Sequence, residues 1–184
     1  MGGTEGNARL TAVTAAVLLL LLAAEGATIP FIRPMLTMHV LLGLALIPPV
    51  LLKLGSTGWR FVRYYLGDPA YVANGPPHPF LRLLVAPLVV ASTVVLFATG
   101  VALAMRHPQG GILLGLHKAS FVIWFGAMSV HVLAHLPKLI RRHAVMSGRL
   151  ARGLLLCGAV AAGAMIAVAA LPAAHAWAHW AVSH

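Results

Sequence analysis

Apolar residues run along this chain in blocks of about twenty, the length an α-helix needs to cross the hydrocarbon core of a bilayer. Between the blocks lie short stretches rich in Arg, Lys, Gly and Pro. Five blocks, at 11–31, 36–54, 82–104, 112–136 and 153–172, predict five transmembrane helices. The expected fold is all-α: one integral membrane helical bundle over residues 1–184, with four of its helices forming the core. The first block is interrupted by Glu25-Gly26, and its Ala-rich end shares features with a secretory signal peptide cleaved near residue 27. Its apolar character continues through Ile29, Phe31 and Ile32, which favours a retained helix. The fifth runs past Pro172 into a tail with Trp177 and Trp180, residue types that favour the membrane interface.

Composition narrows the class. Hydrophobic residues make up 60% of the chain and charged ones only 9%, against roughly 25% charged in a soluble domain. A soluble globular enzyme is excluded. The formal charge of +10 sits between apolar blocks, an arrangement that fits loops facing anionic lipid head groups and not a nucleic-acid surface. A single cysteine, Cys157, rules out an internal disulfide and any all-cysteine metal centre, so redox or metal chemistry must use histidine.

Charge also sets the expected orientation. Arg9, the segment Lys53 to Arg82 with Arg60 and Arg63, and the segment Lys138 to Arg152 with Arg141, Arg142 and Arg149 fall on one side of the five blocks. Only Arg33, Arg106 and Lys118 fall on the other. The positive-inside bias predicts a multi-pass protein of the bacterial plasma membrane, N-terminus cytoplasmic and C-terminus outside. Blocks two and four then run parallel. The connection 55–79 is expected to be a cytoplasmic loop, with Trp59, Phe61, Tyr64 and Tyr65 either marking the membrane boundary or forming a docking surface for a soluble redox partner.

Four histidines lie inside these blocks, His39 in the second and His117, His131 and His135 in the fourth, and three of them, His39, His117 and His131, stand where they could serve chemistry together. Ionisable groups at membrane depth are costly, and each marks a functional position. His117 and His131 are fourteen residues apart, about 21 Å of helical rise and within roughly 40° of one face. Phe121, Trp124 and Met128 lie between them, a stripe that suits either ordinary core or the wall between two flat cofactors. Fourteen residues after His39 comes Lys53. Parallel helices therefore place His39 level with His117 and Lys53 level with His131. Facing imidazoles at equal depth are what six-coordinate haem iron needs, with axial ligands from opposite faces of the ring. Gly43, one turn after His39, is expected to leave room for a macrocycle.

This arrangement resembles the transmembrane di-haem cytochrome b superfamily, over roughly residues 36 to 137. A closer likeness, carried by TMHVLLGLALIPPVLLKLGSTGWRFVRYYLGDPAY and LHKASFVIWFGAMSVHVLAHL, is to uncharacterised actinobacterial cytochrome b-like membrane proteins. The resemblance implies b-type haem, one or two per chain, and transmembrane electron transfer as a subunit of an oxidoreductase system. Its partners would be a redox protein or a quinone within the lipid, with homo- or hetero-oligomers open. Lys53 departs from that pattern, which has a second histidine there. A lysine ligand must first lose its proton, at roughly 4.6 kcal/mol for an ordinary lysine at pH 7. The alternatives are an ammonium that snorkels to head groups or pairs with a haem propionate. His135, one turn after His131, cannot reach the opposite face of the same ring but could bond a propionate or ligate in place of His131.

Other trans ligands for an inner haem would be His78 or His143, and Arg33, Arg60, Arg63, Arg82, Arg106 and Lys118 are candidate propionate partners. Pro48-Pro49 predicts a bend in the second block. His175, His179 and His184 are expected in a solvated tail. The reading from a different class is a haem-free transporter or metal-handling protein using the same histidines. Blocks two and four carry no carboxylate for a divalent ion, and Glu25 is the only acid inside any block. No nucleotide-binding or hydrolytic motif is visible.

Overall fold

The computed structural model describes residues 4–73, 75, 79–142 and 150–183. It contains α1 (Thr4–Thr28), a single 3-10 turn (Ile29–Phe31), α2 (Ile32–Ala45), α3 (Ile47–Tyr65), the short α4 (Pro69–Val72), a π turn (Leu81–Val85), α5 (Ala86–Ala104), α6 (Ile112–Arg142), α7 (Leu150–Ala169) and α8 (Leu171–Ser183). No strand occurs among the described residues. Four helical stretches are long and apolar enough to cross a membrane: Gly6–Tyr65, Leu81–Ala104, Ile112–Leu136 and Arg152–Ala169. The first is a hairpin. Pro30 and Pro34 cannot donate to an α-ladder, Phe31 leaves helical geometry at φ −118°, and α2–α3 returns along α1. The 60-residue stretch thus supplies two antiparallel limbs, matching the first two expected spans.

Proline decides the local irregularities. The expected bend in the second span is a break at Leu46, and Pro48 falls in the first turn of α3, where its missing N–H would have had no helical partner. Pro87 cannot donate to the Leu83 carbonyl, and the turn before it widens to π geometry, with the Ala86 N–H bonding Leu81. The expected loop 55–79 is corrected at its start: α3 continues as helix to Tyr65. There Gly67, at φ +76°, lets the Asp68 N–H reach back to the Arg63 carbonyl. Arg82 lies over the rings of Tyr64 and Tyr65, 5.7 and 4.9 Å from their centroids, and joins this end of α3 to the start of α5.

The packing is that of a membrane bundle. Leu20, Ile112 and Leu133 are 73%, 85% and 68% exposed, while Thr14 and Thr28 are 0% and 1% exposed. Thr11, Ser56, Ser92, Thr93, Thr99 and Ser120 are buried as well. Among lipid tails the large apolar side chains gain little by turning inward, and small hydroxyl residues let helices approach and bond. Gly163 of α7 meets the backbone of Ala45 in α2, an approach that admits no side chain.

The C-terminal segment corrects another expectation. Instead of a solvated tail, α8 packs on α2, burying Ala174 and Trp177, and the Trp177 indole donates to the Leu103 carbonyl at 3.0 Å. His175 and His179 stay on its exposed side. His78, His143 and His184 lie outside the described residues.

Candidate functional site

The hairpin and the α5–α6 pair each put a threonine behind a histidine. On α1, the Thr28 hydroxyl donates to the Glu25 carbonyl at 2.6 Å. Having spent its proton, Thr28 Oγ1 accepts from His39 Nδ1, 2.9 Å away. Glu25 Oε1 lies at 2.9 Å from the same nitrogen. On α5, the Thr99 hydroxyl donates to the carbonyls of Val95 and Leu96 at 2.8 and 3.0 Å. Its oxygen accepts from His117 Nδ1 at 3.1 Å. A neutral imidazole carries one N–H. In both rings that proton sits on Nδ1, and the lone pair sits on Nε2. The His117 ring also hydrogen-bonds the Leu96 carbonyl, which accepts from the Thr99 hydroxyl as well.

His39 and His117 are close enough to interact electrostatically, and so are Lys53 and His131. The structure thus brings together the two pairs that the fourteen-residue spacing expects to meet. Along its length α6 packs mainly on α5, and its direct contacts with α2 and α3 are sparse.

Several residues stand differently from expectation. Gly43 faces Glu25: a Cβ there would come within 3.3 Å of Oε1, so the space it leaves is taken by a carboxylate. Gly100 of α5, not singled out by sequence, faces the His117 ring. A Cβ at Gly100 would lie 3.2 Å from His117 Cε1, so this glycine leaves room for the ring. Within the Phe121, Trp124 and Met128 stripe, the buried Trp124 indole donates to Thr93 Oγ1 of α5 at 3.0 Å, Met128 packs against Val85, Val89 and Ala127, and Phe121 lies beside the Trp124 ring of its own helix.

At the other level, Lys53 turns inward and donates from Nζ to the Thr11 carbonyl at 2.8 Å. Thr11 Oγ1 bonds Ser56 Oγ at 3.1 Å, and Asn7 Nδ2 donates to the Ser56 carbonyl at 3.0 Å. This ladder of polar contacts ties the N-terminal half of α1 to α3. The rings of His131 and His135 stack 4.5 Å apart, and His135 Nδ1 donates to the His131 carbonyl at 2.9 Å. His135 therefore also carries its lone pair on Nε2.

Sequence reasoning missed Thr28, Thr99 and the contact of Glu25 with His39. The second carboxylate oxygen, Glu25 Oε2, is buried with no hydrogen-bond partner among the described residues. No group of three or more His, Cys, Asp or Glu side chains among the described residues is arranged to hold a metal ion. Comparison of the chain with protein-family models, with curated proteins and with solved structures returned no match.

Proposed function

We propose that this chain is a b-type membrane cytochrome, with one haem held between His39 of α2 and His117 of α6, acting as an electron-transfer subunit of an oxidoreductase system. The observation that carries the reading is the matched fixing of both rings. Each Nδ1–H is bound to an oxygen, by Thr28 and Glu25 on one side and Thr99 on the other. A histidine that ligates a metal through one nitrogen ordinarily has its other N–H held in this way, which sets tautomer and orientation. The donor set also fits: a porphyrin supplies four equatorial nitrogens, so the protein need supply only two axial ones, where a bare metal ion asks for a larger cluster.

When bound, haem iron accepts and releases single electrons without proton loss from the chain. The residues' task is to hold two neutral imidazoles at one depth, and the hydroxyls of Thr28 and Thr99 do so without adding charge. Glu25 adds a carboxylate beside one ligand only. A second haem near the opposite surface would take His131 or His135 on one face, with Lys53 facing it. The positive-inside bias sets the proposed orientation, with the His39 level outside and the Lys53 level toward the cytoplasm.

One observation favours a second reading. Glu25 reaches His39 from α1 and supplies the carboxylate that α2 and α6 lack, as a haem-free cation-handling protein would need. A reduced-minus-oxidised visible spectrum of the detergent-purified protein separates the two. A b-type spectrum, lost in both His39→Ala and His117→Ala, is the expected result. A colourless protein from haem-replete cells would overturn the cytochrome reading in favour of the second.

A further inference from the structure

At the end of the bundle that carries Lys53, a groove of about 550 Å³ opens between the start of α1, the middle of α3 and the start of α7. That volume lies within the roughly 300–1,000 Å³ typical of small-ligand sites. Its lining is apolar toward the middle of the helices, a leucine floor of Leu10, Leu51, Leu52 and Leu155, and polar toward their ends, at Asn7, Trp59, Tyr71 and Arg152. The lining has one formal charge, the Arg152 guanidinium, and no carboxylate. That guanidinium rests on Gly6, where a Cβ would displace it. No hydrogen bond or ion pair among the described residues engages it.

The groove lies at the boundary of the membrane-crossing stretches, two of which begin at Gly6 and Arg152. Its two halves ask for a ligand that is apolar along its length and anionic at its tip. We propose that the groove binds one anionic phospholipid, with the headgroup phosphate on Arg152 and an acyl chain along the leucine floor. Guanidinium and phosphate match in charge and in hydrogen-bond geometry. Trp59 and Tyr71 are of the residue types that settle at headgroup depth. The bound lipid would brace the start of α1 against α3 and α7, beside the Asn7, Ser56, Thr11 and Lys53 ladder. Neither haem nor the orientation of the chain enters this proposal.

The test is native mass spectrometry of the full-length protein released from detergent. It is offered equal amounts of phosphatidylglycerol and phosphatidylcholine with identical acyl chains. The expected result is one retained phosphatidylglycerol per chain in clear excess over phosphatidylcholine. Arg152→Gln should abolish the excess with helix content unchanged by circular dichroism. Arg60→Gln, at the same end but outside the groove lining, should preserve it. Gly6→Leu, which fills the seat of the guanidinium, should lose the adduct as Arg152→Gln does. Equal retention of the two lipids, an excess that survives Arg152→Gln, or displacement of the adduct by inorganic phosphate alone would overturn the proposal.

Discussion

The Nδ1–H of His117 points at the Thr99 hydroxyl oxygen, 3.1 Å away, and the hydroxyl proton is committed to carbonyls of α5. The threonine can only accept, so the imidazole can only donate. Thr99→Val keeps the shape of the side chain and removes the acceptor. The ring then keeps only its contact with the Leu96 carbonyl, and loss of the hydroxyl acceptor should cost about 1 kcal/mol in stability. Removing such a partner typically costs about 10–100-fold in metal affinity, and haem retention should fall by a comparable factor. Thr99→Ser should restore both. Haem titration into the apoprotein and thermal unfolding of the three proteins measure the two effects. A valine variant that retains haem like the wild type would show that His117 is not a ligand held by Thr99.

Glu25 makes the two proposed ligands unequal. A carboxylate lies against His39, and only uncharged groups, the Thr99 hydroxyl and the Leu96 carbonyl, are bonded to His117. With haem held as proposed, negative charge beside one of the two histidines would favour the more positive, oxidised iron. Glu25→Gln retains an amide oxygen to accept from Nδ1 and removes the charge, so the midpoint potential should rise while the shape of the reduced spectrum stays the same. A redox titration reads this directly. An unchanged potential would mean that Glu25 carries no charge beside the iron.

Much of this geometry is legible once the turns are located. In a hairpin of two helices with equal rise, residues equally distant from the turn are level. Asn7 with Ser56, Thr11 with Lys53 and Glu25 with His39 are all balanced about Phe31 and Ile32, where Pro30 and Pro34 force the turn. Thr99 with His117 and Thr93 with Trp124 are balanced about Pro108 and Gln109. The apolar blocks and the depth of His39, His117, Lys53 and His131 could be read from spacing because helical rise is constant. Rotation about the helix axis could not, because lipid-facing and core-facing positions are both apolar here. That is why the sequence suggests a macrocycle beside Gly43, which faces Glu25, and leaves Trp124 and Met128 open to a cofactor role. The packing of α8 escaped notice for a related reason: Ala174 and Trp177 suit an interface as well as a core.

Lys53 is tied into the hairpin by a bond to α1. Its ammonium donates to the Thr11 carbonyl, a charge-assisted bond of the kind worth about 1.5–3 kcal/mol. Lys53→Met keeps the length and removes the donor. The variant should unfold at a lower temperature, by an amount matching a loss of about 1–3 kcal/mol, and should keep the haem bound at the His39 level. Haem per chain and thermal unfolding, measured on the same sample, separate the two effects. If the variant instead loses haem in proportion, Lys53 belongs to a cofactor site.

Two glycines in the bundle respond oppositely to the same substitution. Gly163 faces the Ala45 carbonyl so closely that a methyl group would overlap it, and backbone atoms cannot swing aside as a side-chain end can. Gly163→Ala must push α7 away from α2, at about 1–3 kcal/mol for an overpacked contact. Gly126, mid-way along α6, has nothing within 4 Å of an added Cβ. Gly126→Ala gains helix propensity with no clash, up to about 1 kcal/mol. Denaturation of both variants in one detergent should place them on opposite sides of the wild type. Should Gly163→Ala unfold at or above the wild-type midpoint, the close crossing of α2 and α7 at Ala45 would be wrong. The seating of α2, and with it the depth of His39, would then need another support.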